Sequence, residues 1–359
     1  MKKYFFILAA AAALAACAKN EVTPVLSNEN TEIAYNVAPK TKADPNAFPT
    51  TNVFASWAYY LSNTKTWAND RVSAEKYIVN STISYQPAPA NVWKNATNTY
   101  YWPKGGKLTF FAYSLNKNSL ILNTDNLSHM DCHNEDSGYG IHGLINLDDN
   151  PNTDFLVANI AENKAANETA HGFNGVPTLF KHRLSRIVFA VKTGGTYANT
   201  KIQLNSIKFH KLCNAATYDQ FHKETVGDNY SEYMFASGSR STQVYTKTSF
   251  EVPYSTDFTK IPEANEERYI YIPQTFAGET DDTKIASIEV NYSVITTVEG
   301  GTEVTDVRPP VSINVKDYFN SWEMGKKYTI NLTFKLDEIL WAPAVEDWEN
   351  ATAAGVDIQ

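Results

Sequence analysis

Between positions 129 and 142 a cluster of side chains able to bind a metal or move a proton includes His129, Asp131, Cys132, His133 and His142. Imidazole nitrogens and a thiolate at such spacing are the ligand types of zinc and copper sites. The surrounding segment, Asn116 to Asn152, is polar, with Asn, Asp, Ser and Gly throughout, and shows no second cysteine pair and no strand pattern to hold ligands in place. The cluster therefore reads as part of a polar surface loop, and no metal is expected; His129, Cys132, His133 and His142 are the residues any metal would have to use. Among catalytic patterns there is no Gly-x-Ser-x-Gly elbow, no phosphate-cradling glycine loop and no His-Glu-x-x-His helix. Adjacent carboxylates such as Asp148 and Asp149 read as solvated turns. No catalytic residue and no cofactor is assigned, and a non-enzymatic protein is expected.

A different cysteine chemistry is written at the N-terminus. Lys2 and Lys3 precede an apolar run from Tyr4 to Leu14, and small residues then lead to Cys17. That layout is an export signal, and its apolar core is short of the ~20 residues a membrane-spanning helix needs. Leu14-Ala15-Ala16-Cys17 resembles the bacterial lipobox, in which the cysteine thiol is lipidated and the chain is cut just before it. Several acyl chains on one residue meet the two-anchor requirement for stable attachment. The protein is expected on a membrane, outside the cytoplasm. Losing Lys2 and Lys3 with the leader moves the formal charge from −8 to about −10, which argues against a nucleic-acid partner. With Cys17 lipidated, Cys132 and Cys213 are the two cysteines left, and whether they pair stays open.

The elements that must carry these groups are strands. A hydrophobic share of 43% with 13% aromatic and 19% charged residues favours β-structure. Alternation places Tyr328, Ile330, Leu332, Phe334 and Leu336 on one face, and Ile288, Val290, Tyr292 and Val294 likewise, with Glu289, Asn291 and Ser293 toward water. Leu108 to Tyr113, Arg186 to Val191 and Arg268 to Ile272 are apolar on both sides, as in central strands packed on two faces or at a domain contact. Thr193-Gly194-Gly195 and Glu299-Gly300-Gly301 read as hairpin loops, and Glu162 to Thr169 as a short helix or a polar loop. The pattern is that of an all-β chain of antiparallel sandwiches. Asn116 to Asn152 and Leu212 to Thr242 exceed ordinary loop length and read as surface insertions. Trp57, Tyr59, Tyr60, Trp67, Trp93, Tyr100, Tyr101 and Trp102 crowd the first third; they read as core, with a sugar-stacking platform as the alternative.

Four segments together resemble the fimbrillin family, the type V pilus subunits of Bacteroides-like bacteria. They are Tyr101-Trp102-Pro103 leading into Leu108 to Tyr113, then Thr153-Asp154-Phe155-Leu156-Val157-Ala158, then Phe180-Lys181-His182-Arg183-Leu184-Ser185-Arg186-Ile187-Val188-Phe189, and lastly Trp322-Glu323-Met324-Gly325-Lys326-Lys327-Tyr328. The lipobox and Phe54-Ala55-Ser56-Trp57-Ala58-Tyr59 sit where the family places them, so the resemblance covers nearly the whole chain. It implies two tandem transthyretin-like Greek-key β-sandwich domains, export as a lipoprotein, and assembly by strand exchange. A trypsin-like surface protease would remove the lipidated segment with its first strand, and a neighbour's C-terminus would fill the groove.

Residues can be assigned to each part of that scheme. Ile33, Tyr35 and Val37 alternate and form the removable strand. Thr352, Ala354, Val356 and Ile358 share a face and form the donor, after a linker around Trp341-Ala342-Pro343-Ala344, with packing of this tail on its own domain as the alternative. The family commonly has arginine at the cut, but none occurs here before Arg71; Lys40 and Lys42 occupy that region, so either a lysine-tolerant protease acts or the subunit keeps its anchor. The expected organisation is a signal peptide at 1–16, a lipidated propeptide at 17–42, sandwiches at 43–178 and 179–340, and a donor segment at 341–359. Expected partners are other fimbrial subunits, in a homopolymer or a mixed fibre, and the outer membrane before processing, with a host or glycan ligand left open. The rival reading is a monomeric surface lipoprotein that binds glycans or host ligands.

Overall fold

The structure, a computed structural model, describes residues 31–37, 48–118, 120, 130–135, 138–147, 153–166, 175–222, 232–235, 240–246, 249–261 and 270–347. Cys17, Lys40, Lys42, His129 and the proposed donor residues Thr352, Ala354, Val356 and Ile358 lie outside them.

In chain order the first half contributes β1 (Tyr35–Val37), β2 (Val53–Leu61), β3 (Glu75–Gln86), β4 (Val92–Asn95), β5 (Lys107–Ser114), β6 (Asp131–Glu135), β7 (Gly138–Asn146), β8 (Leu156–Ala158), β9 (Ala161–Lys164), β10 (Val176–Thr178) and β11 (Phe180–His182). Among the described residues one short α-helix, α1 (Trp67–Asp70), lies between β2 and β3. The second half contributes β12 (Ser185–Thr193), β13 (Thr200–Cys213), β14 (Ala215–Asp219), β15 (Tyr233–Phe235), β16 (Arg240–Thr246), β17 (Phe250–Glu251), β18 (Thr259–Lys260) and β19 (Ile270–Tyr271). It ends with β20 (Gln274–Thr275), β21 (Ser287–Thr297), β22 (Glu303–Val307), β23 (Val311–Asn314), β24 (Ser321–Trp322), β25 (Lys326–Phe334) and β26 (Ile339–Asp347).

The largest sheet runs β10-β1-β4-β3-β2-β5-β8-β11, with β9 also on β5. Laid flat, β1 and β5 would stand roughly 19 Å apart at ordinary strand spacing. Yet the Tyr35 and Phe110 rings meet edge to face at 5.9 Å, so the sheet curls around a core of its own. Alternate residues of β2 and β5 serve different cores. Phe54, Ala58, Phe110 and Ala112 point into the curl, whereas Ala55, Trp57, Tyr59, Phe111 and Tyr113 point out of it. That is why Leu108 to Tyr113 is apolar on both sides.

What covers the outward face corrects the sequence reading. The two segments taken as long surface insertions supply β6 and β7 from one and β14 and β15 from the other, and these pair as a four-stranded sheet, β15-β14-β7-β6. Ile141, Ile145, Ala216, Tyr218 and Tyr233 of that sheet close over Trp57, Tyr59 and Phe111. Polar residues mask these strands because one face of each is solvated, leaving short apolar alternation inside polar sequence. Leu184, Ile270 and Ile272 of the second half join the same core. The first sandwich is thus completed by the second half, and the boundary expected at 178/179 does not separate two independent cores.

In the second half, β18-β12-β25-β26 packs on β16-β13-β21-β22. Between them lie Ile187, Phe189 and Val191, the β25 series Tyr328, Ile330, Leu332 and Phe334, and the β21 series Ile288, Val290, Tyr292 and Val294, as alternation requires. Ser293 departs from the expected pattern; it is buried and accepts a hydrogen bond from Asn205 at 2.8 Å. Two ladders are parallel, β12 with β25 and β1 with β10, so the sheets are not purely antiparallel. Parallel neighbours need long crossovers, and both pairs are far apart in sequence.

Three local expectations also change. Gly300 and Gly301 do turn the β21–β22 hairpin, but Gly194 and Gly195 carry the chain from β12 to β13 in a different sheet. The described part of Glu162 to Thr169 continues β9 rather than forming a helix, because it pairs with β5. Trp341-Ala342-Pro343-Ala344 is not a linker; it lies within β26, aligned along β25 with Ile330 opposite Pro343. Proline is tolerated there because β26 is an edge strand among the described residues. Trp341 packs on the second core, and Lys327 pairs with Glu346 at 2.5 Å.

Candidate functional site

β1 alternates as the sequence requires. Ile33, Tyr35 and Val37 are 3, 4 and 8% exposed, and Asn36 faces solvent. The strand lies between β10, parallel to it through Tyr35 opposite Val176 to Val37 opposite Thr178, and β4, antiparallel with Tyr35 opposite Trp93. Further back, the Ile33 N–H donates to the Tyr100 carbonyl at 2.8 Å, and the Trp102 N–H donates to the Thr31 carbonyl at 2.9 Å. The Val176 N–H donates to the Ala34 carbonyl at 2.8 Å. This approach is so close that a Cβ at Gly175 would meet the Ala34 oxygen at 2.8 Å, and Gly175 has φ +85°, so only glycine fits. At the rim, Lys94 Nζ reaches Glu32 Oε2 at 3.1 Å.

The Tyr35 ring stands edge-on to Phe54 at 5.4 Å and to Phe110 at 5.9 Å. Its hydroxyl donates to Ser56 Oγ at 3.0 Å, and Ser56 is fully buried at the floor. Burial pushes the Tyr35 hydroxyl well above the ordinary tyrosine range, so it stays a neutral donor. Phe48, where the described chain resumes after Val37, stacks on Phe180 at 4.8 Å beside Trp93. β1 is therefore an apolar plug with a ladder on each side, in a groove whose walls, β4 and β10, no sequence pattern had marked. The one legible hint was Pro177, which suits the edge strand that β10 is among the described residues.

The histidine and cysteine cluster does have a frame, contrary to the sequence reading. β6 and β7 form a hairpin with Asp131 opposite His142 and His133 opposite Gly140. Neighbours on a strand point to opposite faces, so Cys132 turns inward while His133 stays outside. Tyr59 donates its hydroxyl to the Cys132 carbonyl at 2.7 Å, and burial pushes the Cys132 thiol far above its usual range. Cys132 is thus removed from the imidazoles, and Cys132 and Cys213 are both buried and not joined to each other by a disulfide. The His133 and His142 rings stack at 4.1 Å, and Asp219 Oδ1 lies 3.7 Å from His133 Nε2. Among the described residues no group of three His, Cys, Asp or Glu side chains is arranged to hold a metal ion.

His142 makes stability depend on pH. Burial first, and the neighbouring His133 next, lower the His142 pKa below its ordinary value near 6.5. The unfolded chain then binds the proton more readily, so stability is present above about pH 6.5 and falls as pH drops below it. His142→Phe keeps a stacked ring without the titration. We expect the wild type to lose more unfolding free energy than this variant between pH 7 and 5.5. Equal losses in denaturant titrations would contradict the assignment.

Of the aromatic cluster, Trp57, Tyr59, Trp67, Trp93 and Trp102 are buried core, Tyr60 and Tyr100 are half-buried, and Tyr101 is exposed. The motif segments also converge. β8 and β11 pair with Leu156 opposite His182, and Asp154 Oδ2 lies 2.8 Å from His182 Nδ1. Ser185 donates its hydroxyl to the Glu323 carbonyl at 2.8 Å, while the Glu323 N–H donates to the Tyr328 hydroxyl.

A family model described as fimbrillin-like matches residues 22–348. No curated protein sequence matches the chain. Among solved structures, a fimbrial protein from Bacteroides vulgatus superposes with a TM-score of 0.63 at 20% identity, over 89% of this chain and 100% of that one, which shows a shared fold. The tip fimbrial protein Mfa3 from Porphyromonas gingivalis, truncated at its C-terminus, gives 0.35 at 10% identity over 84% of this chain and 97% of that one.

Proposed function

The chain belongs to the fimbrillin-like family, and from that premise we propose that it is a structural subunit of a bacterial surface fimbria, joined to its neighbours by exchange of the strand that fills the β1 groove. The observation that carries this is β1 itself. Ile33, Tyr35 and Val37 plug a core whose other members, such as Phe54, Ile83, Trp93 and Phe110, come from elsewhere in the same sheet. A strand held by two ladders and a row of alternate side chains can be replaced by another of the same pattern, since the ladders supply affinity and the pockets supply fit.

In this scheme the precursor is a lipoprotein held on the outer membrane through Cys17. A trypsin-like surface protease cuts at Lys40 or Lys42 and releases β1. The two tandem transthyretin-like units stay together, and Thr352, Ala354, Val356 and Ile358, following β26, enter the groove of the next subunit. The burial of Trp57, Tyr59, Trp67, Trp93 and Trp102 supports this reading over a monomeric glycan binder.

Cys17→Ala is expected to move the precursor from the membrane fraction to the soluble one, and N-terminal sequencing of the surface form should then find a start near Ala43. Unchanged detergent partitioning of the variant would refute the lipid anchor. A surface form still acylated at Cys17 would mean that β1 is never released.

A further inference from the structure

Resting on the exchange reading above, we infer that Phe48 is a positioning residue of that exchange, an aromatic latch that holds the β1 slot at strand width once β1 has left. β1 joins the two lips of the slot, β4 on one side and β10 on the other. Among the described residues β10 pairs with β1 alone, so release of β1 leaves no ladder across the slot. The opened sheet is then free to splay or to collapse on its apolar core. An arriving strand would have to rebuild the slot before pairing in it.

Phe48 crosses that gap with side-chain contacts. Its ring stacks on Phe180 at 4.8 Å with 24° between the planes, and lies 5.4 Å from Trp93 and 6.1 Å from Phe54. Trp93 belongs to β4, and Phe180 opens β11, two residues beyond the end of β10. The ring thus ties one lip to the strand that continues the other. From β2, Phe54 closes the cluster beneath it, 5.8 Å from Trp93 and 5.3 Å from Phe180. Tyr35 meets this cluster at Phe54, edge-on at 5.4 Å, so the other ring contacts do not run through β1. The backbone behind the latch is independent of β1 as well. The Asn52 N–H donates to the Pro49 carbonyl at 3.0 Å, and the Val53 N–H donates to the Lys117 carbonyl at 2.9 Å. A cut at Lys40 or Lys42 falls before Phe48, so the ring stays with the subunit when β1 departs. Ring pairs of this geometry contribute beyond their buried area, and a groove already formed loses less on binding than one that must reorganise.

The test uses the full chain with a unique protease site placed between positions 38 and 47 and cut after folding. A labelled peptide of residues 31–37 then exchanges with the seated β1, and its affinity is measured on the unmutated protein, on Phe48→Ala and on Phe48→Tyr. We expect Phe48→Ala to bind the peptide about tenfold more weakly, as follows when the emptied slot keeps its shape about one-tenth of the time. Phe48→Tyr, which retains the ring, should bind within about threefold of the unmutated protein. Before cutting, all three chains should unfold cooperatively, with Phe48→Ala a few degrees lower, because the β1 ladders still close the sheet. Unfolding of Phe48→Ala on loss of β1, under conditions where the unmutated cut protein stays folded, would support the latch in its strongest form. Equal peptide affinity for the unmutated protein and Phe48→Ala would show a ring that packs alike with the slot filled or empty, and overturns the latch. So does an equal loss in Phe48→Tyr and Phe48→Ala. If the 31–37 peptide cannot re-enter an unmutated, cut protein that remains folded, the exchange reading fails, and this inference with it.

Discussion

Expressed alone, residues 43–178 will not form a stable domain. The outward face of β2 and β5 carries Trp57, Tyr59, Phe111 and Tyr113, and it is covered in part by Leu184, Tyr218, Tyr233, Ile270 and Ile272 from the second half. Burial of side chains of this size is worth roughly 1.5–3 kcal/mol each. Losing five is on the order of 10 kcal/mol, comparable with the whole stability of an ordinary domain. β7 would also lose β14, its partner from Ala215 opposite Asn146 to Asp219 opposite His142. The expected result is aggregation, or a collapsed species that binds a hydrophobic dye and unfolds without cooperativity. A fragment that unfolds in one sharp transition as a monomer would show that the shared core is dispensable. Within the intact chain, Tyr233→Ala tests the same interface, with an expected cost of about 3–5 kcal/mol for a fully buried aromatic.

Val356→Asp is expected to exclude the subunit from fibres while leaving its own unfolding unchanged. Under the proposed exchange, Val356 and Ile358 provide most of the apolar grip of the donor. Forcing a carboxylate into an apolar pocket without a partner costs several kcal/mol, which amounts to a loss of at least about a hundredfold in affinity. Asp357→Ala, on the opposite face of the strand, should have little effect. Among the described residues the chain ends with β26, where Glu346 and Asp347 pair with Lys327 and Lys326. Fimbriae purified from cells carrying each variant decide the matter by electron microscopy and gel ladders. Wild-type incorporation of Val356→Asp would locate donation elsewhere.

β21 and β25 could be read from one-dimensional pattern because each has one face in a core and the other toward polar neighbours. β1 was legible for the same reason: three alternating apolar residues, isolated between polar stretches, must all point one way if they form a strand. The two-sided apolar runs of β5 and β12 announced burial on both faces without saying between what. Arg268 to Ile272 illustrates that limit, since Ile270 and Ile272 enter the shared core while Tyr271 enters that of the second half.

The four-stranded sheet over the first core was illegible. Cys132, Ile141, Ile145, Ala216 and Tyr218 are its inward residues, and they are scattered among Asn, Asp, His and Gly in two segments about seventy positions apart. Read singly, neither segment has enough apolar alternation to outweigh its polar content; paired, each supplies the edge the other lacks. The histidines followed the same logic. Their types raised the question of a metal, but strand parity separates Cys132 from His133, and parity exists only once β6 is known to be a strand.

Local side-chain period and turn chemistry determined that the chain is built of strands and which faces of β1, β21 and β25 are apolar. Those properties depend on neighbours within a few residues, so the order of the letters is enough. Which strands pair, that β1 lies between β4 and β10, that β12 and β25 run parallel, and that Ser56 waits beneath Tyr35 were decided by the tertiary structure. Backbone hydrogen bonds carry no residue identity, so any exposed edge can accept many partners. Only the joint burial of three interlocking cores selects one arrangement.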